Sequence, residues 1–162
     1  KNVINVDERI KNIDGYQIMG YGVCSGPELL KYKDYKKIKK KEFLKNKKNY
    51  KNLLKAYNHL FKKARKPVIF LSHNIPFNTP LDKITDKKSL RHGYHYGSLI
   101  AREMINKYQP LVCIGGHMHE HFGKCKIGKT TVINSGFGSK VNVFLEISNN
   151  KIKKLEFYKG KK

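Results

Sequence analysis

Three histidines in this 162-residue chain stand where short apolar runs give out. Val68–Leu71 leads into Ser72-His73-Asn74, and Leu111–Ile114 leads into Gly115-Gly116-His117-Met118-His119-Glu120. A neutral imidazole offers a lone pair to zinc, iron or manganese-type ions. The two glycines ahead of His117 allow a sharp turn and let the backbone come close to a metal or a phosphate. If the two runs are parallel neighbours, His73, His117 and His119 converge above one edge of a sheet. That is where layered α/β domains do their ligand chemistry. A lone His-x-His on a surface loop is a weak signal. A buried strand before it, two glycines and a second strand-ending histidine make it a stronger one.

The elements that must hold these histidines can be read from the pattern of apolar residues. Val3–Ile13 and Tyr16–Tyr21 read as strands around Asp14-Gly15, a hairpin turn pair. Gly20, Gly22, Gly26 and Pro27 then break the chain into a loop. Leu53, Leu54, Tyr57, Leu60 and Phe61 recur at helical spacing, which predicts an amphipathic helix over Tyr50–Arg65. The stretch at about 31–50 is lysine-rich and reads as helical or mobile. Val68–Leu71 is continuously apolar and fits a strand covered on both faces. A polar loop runs from Ser72 to Tyr96, and loops of that length are usually functional or disordered. Ser98–Tyr108 predicts a second helix, closed by Pro110, and Leu111–Ile114 a second buried strand. Lys124–Lys126, Thr130–Asn134, Val141–Ile147 and Ile152–Tyr158 read as a meander of strands. The order predicts one layered α/β domain over 1–162.

Composition narrows the class. No run of 18 or more apolar residues occurs, which argues against a membrane helix. Residues 1–13 carry no apolar core of a secretory leader. The chain begins with Lys1 rather than Met, so a truncated or processed protein is expected. Three cysteines without a C-x-x-C pair point to a reducing, cytoplasmic setting. A net charge of +23 attracts nucleic acid and phosphorylated small molecules, although a lysine-rich composition alone also produces it.

The segments "LSHNIPFNTPLDKI", "HYGSLIAREMINKYQP" and "LVCIGGHMHEHFGKCKIGKTTVINSGFGS" occur in the order seen in calcineurin-like metallophosphoesterases. The chain resembles the C-terminal half of that family, in its cyclic-nucleotide-phosphodiesterase-like branch, from about Val3 to Ile147. The resemblance implies a layered α/β fold in which helices sandwich two sheets, with the N-terminal part missing here. It implies hydrolysis of a phosphodiester or monoester by two divalent ions (Mn, Fe, Zn or Ni). His73 and His117 match ligands of the second metal, and His119 matches a ligand of the first. Asn134, Ser135 and Gly136 match a turn beside the site. His95, Gly97 and Ser98 match a His-x-Gly-Ser element near the substrate entrance. Asn74, Arg91, His95, Ser98 and Asn134 are the substrate-binding candidates.

The family also uses an Asp-x-His pair, a bridging Asp after Gly, and a Gly-Asn-His motif, and this sequence has none of them. Asp7-Glu8, Asp34 and Asp82 lie in other surroundings. Two divalent ions about 3.5–4 Å apart repel, and neutral imidazoles supply no shared anion between them. The chain alone is therefore expected to hold one ion or none and to be inactive. A missing N-terminal half, supplied as a separate chain, is the expected partner. Two other readings stand beside this one. A lysine-rich nucleic-acid-binding protein would bind in a salt-dependent way without His117 and His119, but no RNP, helix-turn-helix or zinc-finger pattern supports it. A scaffolding remnant would have no catalysis. His59, His92 and His121 receive no role. Asp82 is expected to cap or ion-pair within its loop, and Cys113 to lie in the core. A Cys113–His117–His119–Cys125 zinc set remains an alternative.

Overall fold

A computed structural model describes residues 3–24, 26–30, 39–119, 121–138 and 140–160. The fold is α/β. A six-stranded mixed sheet runs in the order β1-β2-β3-β4-β6-β5, and a separate two-stranded sheet is formed by β7 and β8. The strands are β1 (Ile10–Ile13), β2 (Tyr16–Tyr21), β3 (Val68–Asn74), β4 (Val112–Gly116), β5 (Gly123–Ile127), β6 (Thr130–Asn134), β7 (Val141–Ser148) and β8 (Lys151–Lys159). The helices are α1 (Lys40–Lys63) and α2 (Leu99–Tyr108).

Asp14 and Gly15 both take positive φ (45° and 85°), the two-residue turn that suits the twist of a hairpin. The strand expected over Val3–Ile13 is shorter than its pattern, because the chain turns at Glu8 (φ 51°). Residues before that turn run beside the end of β2 instead. Gly20 N donates to Val6 O at 2.9 Å, and Asp7 forms a parallel bridge to Gly20. The lysine-rich segment is helical from Lys40 onward, while residues 31–38 lie outside the described residues.

β2, β3, β4 and β6 are parallel neighbours, and β1 and β5 close the two edges antiparallel. The expected C-terminal meander is therefore divided. β5 and β6 join the main sheet, because β6 is apolar enough to be buried as an inner strand (Val132 and Ile133 are fully buried). β7 and β8 form their own hairpin and reach the rest through contacts such as Phe122 on Phe157.

The registers put Met19, Phe70, Cys113 and Val132 in one row, hence on one face. Both helices cover that face. Phe61 of α1 meets Phe70 edge-on at 5.3 Å and stacks on Tyr108 of α2 at 5.1 Å. Burying large side chains of this kind stabilises a fold by about 1.5–3 kcal/mol each. The other face is not covered to the same extent. Ile18, Ile69, Leu71 and Ile114 are only half-buried there, while Val112 and Ile133 on the same face are fully buried, so the cover expected on both faces of Val68–Leu71 is complete on one face alone. The reason is that neither helix crosses over.

A buried carboxylate ties the β2–α1 loop to α2. Glu28 Oε2 accepts from Leu99 N at 2.6 Å, and Oε1 accepts from Ser98 Oγ at 2.5 Å and from the Tyr21 hydroxyl at 3.1 Å. Ser98 is the N-cap of α2, its Oγ accepting from Ala101 N at 3.0 Å. A negative charge at a helix N-terminus meets free N–H groups and the positive end of the helix dipole. Burial nevertheless raises the Glu28 pKa above the usual carboxylate range, and the hydrogen bonds only partly oppose it. Between the ordinary and the raised pKa the folded chain holds more protons than the unfolded one. Stability contributed through Glu28 is thus present at low pH and falls as pH rises through that window. We expect the stability advantage of the wild-type chain over Glu28→Gln to shrink as pH rises out of the ordinary carboxylate range and then to level off. Urea denaturation at a series of pH values measures this. An advantage that grew with pH would mean that the hydrogen bonds outweigh burial.

Candidate functional site

β3 and β4 pair in parallel, with Ile69 opposite Val112 and Leu71 opposite Ile114. Their carboxyl ends therefore emerge side by side, and the sequence puts His73 at one end and His117 just past the other. His73 Nε2 lies 3.2 Å from His117 Nδ1, with ring centroids 5.2 Å apart. The His117 pKa is lowered below the ordinary histidine value, first by burial and then by His73 and His119 nearby. An imidazole neutral at pH 7 keeps a lone pair free for a metal ion.

Cys24 joins this pair. Its Sγ lies 3.7 Å from His117 Nδ1, and the ligand atoms of Cys24, His73 and His117 all fall within 4.8 Å of one another. It is the one cluster of three or more such donors among the described residues. His119 is not part of it. The His119 ring is turned against Phe137, with centroids 4.6 Å apart. Tyr96 closes the other side of His117, stacked at 5.4 Å with the rings nearly parallel, and the Arg91 guanidinium lies over the Tyr96 ring at 5.5 Å.

The loop that carries His117 and His119 is clamped from β6. His117 has φ 68°, a left-handed conformation unfavourable for a residue with a Cβ, so its surroundings must impose it. Met118 N donates to Gly116 O at 2.8 Å and His119 N to His117 O at 3.1 Å, which keeps the turn tight. Asn134 Nδ2 donates to Met118 O at 2.9 Å and also to His121 O, while its Oδ1 accepts from Gly136 N. Ser135 Oγ donates to Gly115 O at 3.0 Å.

The substrate-binding candidates divide. Arg91 and His95 are half-buried, Arg91 reaching His117 only through Tyr96 and His95 resting against Asp82 and Phe77. Ser98 and Asn134 are fully buried, and their polar atoms are engaged in the α2 cap and the loop clamp. For these two, the expected contact with substrate gives way to a positioning role. Asn74 is also buried, and neither Nδ2 nor Oδ1 has a hydrogen-bond partner among the described residues. It packs against Gly26, where an added Cβ would sit 2.3 Å from Asn74 Nδ2.

Asp82 is fully buried and organises the long loop. Oδ1 accepts from Thr79 N at 2.7 Å, Oδ2 accepts from Asn78 N and Gly97 N, and Oδ1 lies 2.7 Å from His95 Nδ1. Asp7 Oδ1 accepts from Gly22 N at 2.8 Å. Neither carboxylate belongs to the cysteine–histidine cluster, and Asp34 lies outside the described residues. His121 Nε2 lies 2.7 Å from Lys83 O, a structural tie, and His59 and His92 are exposed. Cys113 is fully buried in the core, so the alternative set with Cys113 and Cys125 is not the cluster formed. Sequence reasoning missed Cys24, Glu28 and Tyr96. Cys24 had one usable signal: it sits in the loop right after β2, another strand parallel to β3.

No protein-family model matches the chain. It is 26% identical over 133 residues to the uncharacterized protein MJ1162 of Methanocaldococcus jannaschii, an alignment covering 81% of this chain and 53% of that protein. The chain thus spans about half the length of this curated relative. A crystal structure superposes with a TM-score of 0.59 at 20% identity, covering 93% of this chain and 52% of the other. TT1561 of Thermus thermophilus superposes with a TM-score of 0.49 at 18% identity, over 96% of this chain and 58% of its own. The first of these two likenesses shows a related fold and nothing further.

The clamp predicts a loss. Asn134→Ala leaves two loop carbonyls and one amide without their buried partner. We expect destabilisation of about 1–3 kcal/mol, read by chemical denaturation. A change within a few tenths of a kcal/mol would mean that Asn134 does not hold the loop.

Proposed function

We propose that this chain contributes the histidine side of a two-metal centre that hydrolyses a phosphate ester, within a protein longer than the chain itself. The observation that carries the reading is the His73–His117 pair: two imidazole nitrogens 3.2 Å apart, at the ends of adjacent parallel strands. The ordered motifs of the metallophosphoesterase resemblance support it, and a curated relative of which the alignment covers only 53% supports the longer protein. In this reading His73 and His117 hold one ion, and His119 reaches a second beyond the cluster. Two such ions, when bound, lower the pKa of a shared water and stabilise charge on the phosphoryl oxygens. The residues of this chain orient the donors. β3 and β4 fix their spacing, Asn134 clamps their loop, and Tyr96 limits the tilt of His117. His95, held by Asp82, is the candidate to protonate a leaving group.

The test is turnover of an activated diester, such as a bis-aryl phosphate, with added manganese. The chain alone is expected to stay near background, because it brings no bridging anion to the histidines. A longer protein that also carries Asp-x-His and Gly-Asn-His elements is expected to turn over in a metal-dependent way. In that protein His73→Ala, His117→Ala or His119→Ala should each lower activity by roughly 100-fold or more, since even partners that merely orient ligands cost 10–100-fold. Robust turnover by the chain alone, or indifference to all three substitutions, would put the chemistry elsewhere.

A further inference from the structure

We infer that Cys24 is a metal ligand, and that with His73 and His117 it makes a one-sulfur, two-nitrogen site suited to a thiophilic ion such as Zn(II) or Co(II). The inference rests on the His73–His117 pair of the proposed function and adds a thiolate to it.

The separations argue for a metal. With Zn–N near 2.05 Å and Zn–S near 2.3 Å, tetrahedral angles put two nitrogens about 3.3 Å apart and a nitrogen and a sulfur about 3.6 Å apart. The corresponding distances here are 3.2 Å for His73 Nε2 to His117 Nδ1 and 3.7 Å for Cys24 Sγ to His117 Nδ1. A hydrogen bond accounts for either distance singly, but His117 Nδ1 offers one lone pair or one N–H and cannot serve both partners in full. All three donor atoms lie within 4.8 Å of one another although they come from three separate segments, 93 residues apart at the extreme. Cys24 and His73 are exposed, so an ion and a fourth ligand such as water can approach.

The donor set then decides the metal. Thiolate is a soft ligand and favours zinc and cobalt over manganese or magnesium, which prefer oxygen. Binding forms an S–metal bond and breaks the S–H bond, and the proton leaves to solvent. No oxidant or reductant is involved.

Cobalt(II) titrated into the chain, with a non-thiol reductant present, reads the site directly. A thiolate-to-cobalt charge-transfer band in the near ultraviolet is expected, together with the intense visible bands of a four-coordinate ion. Cys24→Ser should abolish the charge-transfer band, whereas Cys125→Ser should leave it in place. His73→Ala and His117→Ala should each weaken cobalt binding by roughly tenfold or more. Zinc should displace cobalt and manganese should not. Cobalt bound without the charge-transfer band, or with a band that survives Cys24→Ser, overturns the thiolate while leaving the histidine pair intact. Cobalt binding unchanged by both histidine substitutions, or no binding at all, overturns this inference. Unchanged binding in the histidine variants counts against the proposed function too. Circular dichroism of each variant separates loss of ligand from loss of fold.

Discussion

The parallel pairing of β3 with β4 is the constraint on which the site depends. The two strands are far apart in sequence, yet their register brings Leu71 opposite Ile114 and Asn74 opposite Gly116. A one-residue slip would move His73 to the other face of the sheet, because successive side chains alternate. What prevents the slip is the buried row of Met19, Phe70, Cys113 and Val132 beneath the helices. Core packing therefore sets the spacing of the donors. The irregular register between Leu71 and Asn74 falls at the approach to His73, where the strand changes from a packed element to one that exposes its histidine.

A second layer of control comes from buried polar groups. Glu28, Asp82 and Asn134 each gather backbone amides or carbonyls that would otherwise be buried without partners. Such groups cost about 1–3 kcal/mol each when left unpaired. Each residue fastens one segment of the rim: Glu28 the start of α2, Asp82 the long loop with His95, Asn134 the His117–His119 turn. The loop after β3 is long but not loose, because Asp82 supplies at its centre the acceptors that a regular element would have supplied.

Much of this can be read from the chain of residues. Runs such as Val68–Leu71 and Thr130–Asn134 announce inner strands through their own composition, and Asp14-Gly15 announces its turn. The histidine pair is legible because each member directly follows such a run. The rest depends on contacts between distant segments. Cys24 carries no local pattern and becomes a neighbour of His117 only once β2 docks beside β3. Glu28 looks like an ordinary loop residue until α2 arrives, 71 residues later, with its free amides. The separate β7–β8 hairpin reads as part of one meander because alternation marks a strand but not its partner. Ser98 and Asn134 read in the sequence as substrate-binding candidates, yet the same hydrogen-bonding capacity serves a cap and a clamp.

Charge decides what a donor set of this kind can hold. Unit charges 4 Å apart at an effective dielectric of 20 interact by about 4 kcal/mol, so two dications at that spacing repel by about 16 kcal/mol. Neutral imidazoles donate lone pairs but remove none of that repulsion. One thiolate contributes a single negative charge, enough to offset half the charge of one ion and not enough to keep a pair together. The cluster of Cys24, His73 and His117 is in this sense balanced for one ion. A second ion beside it requires carboxylates, and among the described residues the nearby buried ones are already engaged, Asp82 with His95 and Glu28 with the α2 N-terminus. The step from a one-ion site to a hydrolytic centre is therefore a step in anionic ligands rather than in histidines.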